Sequence, residues 1–344
     1  MDWRCGLEAA TLTHETAEVS LTDTALICGF EIRADGVVRE LRTADIGAAL
    51  HSDDGVTWLH FSLANARAVS FLAHSPRVPA CLRALLEVRD SRPRVEIAEG
   101  GLLFVMTDLS FEHSRETSEV AALWAHATPR LVISARSHPL RSTDLLRQRL
   151  REGLRVASGI ELIVRMLELR VRSLREYSDS LAEEVHDIED RVLSGDVAEG
   201  RERLGRVRRE CARIHRHFGR DRTALQKVVT RAPASMSPAE VEDLKEVVEE
   251  FTFLLDEVQH LYERAKLLQE ELAARLAEKT GTRLYVLSVL SAVVLPMTFV
   301  TGIFGMNVAG LPGTQEAASF WWTMLLVVAA GAVTLGVLRL RGLL

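Results

Sequence analysis

Apolar and polar positions alternate in three different ways along this chain, and each regime predicts a different kind of element. From about residue 20 to 152, short apolar runs are set between turn signals. Ala25–Ile32, Val56–Leu63, Arg94–Ile97, Leu102–Phe111, Val120–His126 and Arg130–Ala135 read as strands, with Asp35-Gly36 and Gly100-Gly101 as turns. Ala64–Ala73 and Pro79–Val88 have helical composition, and Asp144–Arg151 begins a strongly helical region. This part predicts a compact α/β domain over residues 1–152.

From about 153 to 283 the period changes to steps of three and four. Leu167, Val171, Leu174, Ser178, Leu181, Val185, Ile188 and Val192 form one seam, and Ser194-Gly195-Asp196 breaks it. Leu204, Val207, Cys211, Ile214 and Phe218 form a second, which ends before Arg231-Ala232-Pro233, so an antiparallel helical pair is expected. A third helix starts at Ser237-Pro238-Ala239-Glu240, where a capping Ser, a first-turn Pro and a reciprocating Glu stand in order. Its seam runs Val241, Leu244, Val248, Phe251, Leu255, Val258, Tyr262 and Ala265. No Gly or Pro interrupts Ala239–Thr280, and Gly281 is the only such residue before the apolar segment that follows, so one helix about 100 Å long is expected to enter a membrane. Its seam closes either within the chain or against other copies around an axis, and periodicity does not choose between them.

The third regime, residues 284–344, is a hairpin of two charge-free stretches. Leu284–Phe304 and Ala317–Leu338 contain no Asp, Glu, Lys or Arg. Roughly 20 apolar residues cross a hydrocarbon core, and both stretches meet that length. Lys279 and Arg283 precede the first span, Arg339 and Arg341 follow the second, and Gly305–Ala318 carries no Lys or Arg, which predicts both termini on the cytoplasmic side. Met1-Asp2-Trp3-Arg4-Cys5 opens without an apolar signal core, so the first 280 or so residues are expected in the cytosol.

Composition changes this picture little. The net charge is −6, and no basic patch with interleaved aromatics suggests nucleic acid. No phosphate-binding Gly-rich loop, HExxH or GxSxG elbow is present, so no enzyme is expected. Cys5, Cys28, Cys81 and Cys211 have no CxxC spacing and read as reduced thiols. Cys211 and His215, four apart, can share a helix face, but Arg213, Arg216 and Arg220 crowd them and His217 points elsewhere, against a zinc site. Two acidic helix faces, Glu183, Glu184, Asp187, Glu189, Asp190 and Glu246, Glu249, Glu250, Asp256, Glu257, read either as solvated surface or as a reservoir that concentrates cations.

Within the first span Ser288, Ser291, Leu295, Thr298, Gly302 and Gly305 recur at steps of three and four on one face. Such a face suits a wet pore lining or close helix packing. Pro296 removes one backbone donor beside it. The span closes in Gly305-Met306-Asn307 and is preceded by Leu295-Pro296-Met297-Thr298-Phe299; followed by one more span and a short basic tail, this resembles the CorA family of divalent-cation transporters.

That resemblance implies a homopentamer in a bacterial-type inner membrane, with the first span of each subunit lining the pore. Gly305, Met306 and Asn307 would sit at its outer mouth, where Asn307 oxygens contact a hydrated cation through its water. Thr298 would be a polar ring, and Leu295 and Leu287 apolar constrictions, with Ser291 added to the lining by its place on the same helix face. The loop Val308-Ala309-Gly310-Leu311-Pro312-Gly313, with its first acid at Glu316, is more similar to the ZntB zinc-transporter branch. What this branch implies is zinc as the transported ion, with protons as a coupled partner; magnesium, cobalt or nickel is the alternative cargo within the wider family. A membrane-tethered coiled-coil scaffold is the alternative of a different class.

Overall fold

The computed structural model describes residues 26–50, 55–110, 120–193, 200–233, 235–306 and 318–342. Cys5, Ala25, Phe111, the break at Ser194-Gly195-Asp196, Asn307, the loop 308–313, Glu316 and Ala317 lie outside the described residues. The described residues fall into two compact units. One is built from residues up to Asp190 together with Glu202–Lys266, the other from Arg191–Arg201 and from Leu267 onward.

The first unit carries a seven-stranded sheet. Its strands are β1 (Leu26–Ile32), β2 (Val38–Glu40), β3 (Val56–Ser62), β4 (Arg94–Ala98), β5 (Gly101–Leu109), β6 (Val120–Ala127) and β7 (Leu131–Arg136), in the order β2-β1-β3-β7-β6-β5-β4. Only β3 and β7 pair in parallel, with Thr57 opposite Leu131 and Ser62 opposite Arg136; the other pairs are antiparallel. Four of the antiparallel strands form the meander β4 to β7. The turn at Gly100 adopts φ +74, a region that favours Gly, and admits the tight β4–β5 reversal.

Every residue of β5 is buried, because the sheet is covered on both faces. Leu103 and Val105 face a core made with Leu72 of α2 (Ala66–His74), Leu82 of α3 (Ala80–Val88) and Ile46 of α1 (Ile46–Ala49). Phe104 and Met106, pointing the other way, meet Ile163, Met166 and Leu167 of α5 (Gly159–Leu193). The period of two along a strand thus sets both interfaces at once. The N-terminus of α3 has no side-chain cap of its own; Glu99 supplies one from the β4–β5 turn, accepting from the Ala80 and Cys81 N–H groups at 3.0 and 2.6 Å.

α4 (Arg141–Arg151) leads to α5, which is followed by α6 (Gly200–Thr230) and α7 (Pro238–Phe304). The seams close within the chain. Leu167, Val171, Leu174, Leu181, Val185, Ile188 and Val192 are buried, as are Leu204, Val207, Cys211, Ile214 and Phe218, and Leu244, Val248, Phe251, Leu255, Val258 and Ala265 on α7. Each fully buried Leu or Val side chain contributes roughly 1.5–3 kcal/mol, so no second copy is needed to bury this part of the stalk. α7 begins at a reciprocal cap: Ser237 Oγ accepts from the Glu240 N–H at 3.2 Å and Glu240 accepts from the Ser237 N–H at 2.7 Å. It runs 67 residues without interruption through Gly281 and Pro296. Beyond Leu272 none of its described residues is buried within the chain.

Candidate ion-conduction helix

The apolar part of α7 and the second apolar helix, α8 (Ser319–Leu340), are each long and apolar enough to cross a membrane. Phe320, Trp321 and Trp322 open α8 and stay 64–72% exposed, while Arg339 and Arg341 close it, an arrangement that suits an aromatic belt at one interface and charge at the other. Sequence reasoning passed over this Phe-Trp-Trp group, although three adjacent aromatics at a span end are a legible signal.

The two helices meet along defined faces. On α7 the half-buried positions are Val289, Ala292, Val293, Pro296, Met297, Val300 and Ile303, which recur at steps of one and three on one side of the helix. On α8 Val327 and Gly331 are buried. A Cβ added at Gly331 would stand 3.1 Å from the Met297 sulfur, so the missing side chain permits a close approach.

Turning about 100° per residue from that face places Ser291, Leu295, Thr298, Gly302, Gly305 and Leu287 on the opposite side. All six are exposed, Leu295 at 73% and Leu287 at 58%. Ser288 is exposed as well. The small and hydroxyl-bearing face therefore takes no part in packing against α8. Close packing inside the hairpin, one of the two meanings this face could have had, falls to the Met297 side instead.

Two hydroxyls, Thr298 on the free face and Ser288 beside it, are already committed as donors. Thr298 Oγ1 donates to the Val294 carbonyl at 2.8 Å and lies 2.9 Å from the Leu295 carbonyl, and Ser288 Oγ donates to Leu284 O at 2.8 Å. With its proton turned back to the helix, each oxygen presents lone pairs outward, the polarity a cation or its water shell requires. Pro296 supplies no N–H to the helical ladder one turn back, which leaves that carbonyl without its usual donor. At the end of the helix the Gly305 N–H still bonds Thr301 O at 2.9 Å, and a Cβ at Gly305 would stand 3.0 Å from the same oxygen. A side chain there would press on the last helical carbonyl. Met306 follows, 50% exposed, and Asn307 lies outside the described residues.

The other candidate groups resolve differently. Cys211 is buried in the α6 seam whereas His215 is exposed, and burial pushes the Cys211 thiol up to about 12. Among the described residues no group of three or more His, Cys, Asp or Glu side chains is placed to hold a metal ion. Cys28, Cys81 and Cys211 are free thiols. The acidic faces are largely consumed by ion pairs. Arg203 reaches Glu184 at 3.2 Å and Asp187 at 2.8 Å, Arg175 reaches Glu250 at 3.2 Å and Glu257 at 3.6 Å, Arg222 reaches Asp256 at 3.3 Å, and Arg264 holds Glu189. A reservoir made of all ten carboxylates is therefore not what these helices present; most of them tie one helix to another.

Comparison with known proteins defines the class. The model of the CorA-like Mg2+ transporter protein family matches residues 53–339. The zinc transport protein ZntB of Klebsiella pneumoniae subsp. pneumoniae is 25% identical over 318 residues, covering 92% of this chain and 95% of that protein. Among solved structures, full-length CmaX superposes with a TM-score of 0.79 at 23% identity, covering 93% of this chain and 98% of its own. The CorA magnesium transporter of Methanocaldococcus jannaschii gives 0.74 at 17% identity, covering 91% and 96%. This chain belongs to the CorA-like family of divalent-cation transporters. It is an integral membrane transporter, not an enzyme.

Proposed function

We propose that this protein carries zinc across a cytoplasmic membrane through a pore lined by the first apolar helix of each of five copies. The observation that carries the reading is the free face of α7. It bears Ser291, Leu295, Thr298, Gly302 and Gly305, lies opposite the α8 contact, and is exposed throughout. An exposed lane of hydroxyls within an apolar span needs water or a like surface beside it, and several copies around an axis supply both. In this arrangement Thr298 and Ser291 form rings of neutral oxygen, and Leu295 and Leu287 form apolar constrictions that close by dewetting. Gly305, Met306 and Asn307 sit at the mouth. Five Asn307 side chains there hydrogen-bond the water shell of a dication without stripping it, which suits cations that surrender water reluctantly. Both termini lie on the cytoplasmic side in this topology, by the distribution of Lys and Arg around the spans.

Zinc as cargo is supported by the likeness to the zinc transport protein ZntB along nearly the whole chain. Magnesium is the second reading, favoured by the neutral oxygens of the α7 face, which contains no thiolate or imidazole to prefer zinc. Uptake into liposomes holding the purified protein separates them, with zinc and magnesium compared at equal concentration and with or without an inward proton gradient. Faster zinc entry, increased by the gradient, is expected. Faster magnesium entry, indifferent to the gradient, would move the protein to the second reading.

A further inference from the structure

Between the sheet and Lys266 the α5–α7 bundle has two charged stripes that its own ion pairs leave over. On α6, Arg209, Arg213, Arg216 and Arg220 follow steps of four, three and four, opposite the buried seam. Arg213 is tied to Glu210 at 3.0 Å, but Arg209, Arg216 and Arg220 are exposed and have no carboxylate partner among the described residues. Their field is felt nearby: after burial, Arg216, Arg213 and Arg220 are what hold the His217 imidazole below its ordinary range.

On α7, Glu242, Glu246, Glu249 and Phe253 follow the same steps of four, three and four. Glu246 and Glu249 are exposed and have no Lys or Arg partner among the described residues, while Glu242 meets Lys245 of its own helix at 3.3 Å. Phe253 is 60% exposed, beside a groove of about 670 Å³ that Glu249 also lines. A phenyl ring left in water at the end of an acidic stripe calls for a partner that is both cationic and flat.

We propose that the Arg209–Arg220 face of α6 docks on the Glu242–Phe253 face of α7 in a second copy of this chain. Each stripe spans twelve residues, about 16 Å of helix from first to last, and the four-three-four spacing reads the same in both directions, so the faces register whichever way the helices run. Arg213 and Arg216 then oppose Glu246 and Glu249. One end arginine meets Glu242, and the other lies over the Phe253 ring. The two faces lie on different helices and are not self-complementary, so each copy gives one and receives the other, a head-to-tail contact that closes into a ring. The contact rests on the self-assembly in the proposed function and names the surfaces that make it.

The test uses the full chain with Cys5 and Cys81 replaced by Ser, because Cys28 and Cys211 are buried. Arg216→Cys in one tagged copy and Glu249→Cys in a differently tagged copy are co-expressed and treated with a short bifunctional maleimide. A mixed-tag dimer is expected, in about tenfold higher yield than from His215→Cys, which lies on the flank of α6, paired with Glu249→Cys; charge reversal at Arg209 and Arg220 should lower that yield, and added Glu242→Arg should restore part of it. Equal yields from the Arg216 and His215 positions, or a yield indifferent to the reversal, would overturn the proposal. Dication uptake by the wild type is read separately. Transport without this crosslink overturns the interface alone, and the crosslink without transport overturns the function alone.

Discussion

Arg170→Met is expected to destabilise the sheet-bearing unit by about 3–5 kcal/mol, the cost of leaving a buried carboxylate without its partner. Arg170 lies on α5 with its side chain 3% exposed, and Asp221 on α6 is fully enclosed. The guanidinium contacts the Asp221 carboxylate, donates from Nε to the Thr107 carbonyl at 2.6 Å, and lies 4.9 Å from the centres of both Phe218 and Phe251. Asp221 in turn accepts the Thr107 N–H at 3.1 Å. One ion pair therefore joins β5, α5, α6 and the aromatic seam of α7. Thermal unfolding in detergent should show a fall of about 6–20 °C in the midpoint. Adding Asp221→Leu to Arg170→Met should recover most of that loss, because an apolar pair of similar volume does not need the charge; a double variant no better than the single one would show that the cation–π packing carries the stability.

The same cluster fixes the sign of a pH dependence. Asp221 and Asp108 are both enclosed around the single guanidinium of Arg170, and burial outweighs that cation, pushing Asp221 up to about 7 and Asp108 above the ordinary carboxylate range. Asp108 is held besides by the Ser142 hydroxyl at 2.6 Å and the Ser142 N–H at 3.1 Å. An unfolded Asp titrates near about 3.9, so between there and pH 7 the folded chain retains a proton that the unfolded chain has lost. Through Asp221, stability should fall as pH rises from about 4 to about 7. Asp221→Asn should flatten that slope, and an unchanged slope would place the proton elsewhere.

Asn307→Ala is expected to lower dication entry by about tenfold to a hundredfold while assembly and melting stay as in the wild type. A hydrogen bond to a charged group contributes about 1.5–3 kcal/mol, and each 1.4 kcal/mol is about a factor of ten. At the mouth proposed for this pore the amide oxygens receive the hydrated ion, and a methyl group offers it nothing in exchange. The residue follows directly on Gly305 and Met306, which continue from the end of α7. The initial rate of uptake into liposomes, at matched protein incorporation, measures the loss; a rate equal to the wild type would remove Asn307 from the conduction path.

Much of the architecture was legible because burial and period coincide. The seam from Leu167 to Val192, the reciprocal cap at Ser237 and Glu240, and the runs that became β1, β3, β5, β6 and β7 each announce themselves within a dozen residues. β2 was not read, since Val38-Arg39-Glu40 is three residues with no alternation; it is held by β1 and by Arg39 reaching Glu31 at 3.0 Å. The short turns from Thr43 to Ala49 were missed for the same reason of length. Strand order was beyond reach, because the parallel pairing of β3 with β7 joins residues more than seventy apart. The buried pair left a trace that could have been followed: Arg170 falls beside Val171 on the apolar seam, and Asp221 stands one turn after Phe218. A charge at a core-facing position signals a partner at another. In the first span the spacing of Ser291, Thr298 and Gly302 identified a distinct face, but only the position of α8, with Gly331 on Met297, separates the side that packs from the side left free.

The most direct test of the account is whether the purified wild-type chain, reconstituted into liposomes and verified as an assembly of native fold, admits a divalent cation. Saturable zinc or magnesium entry, absent from protein-free liposomes and lost with Asn307→Ala, is the result predicted. No entry of either dication through that verified assembly would contradict it.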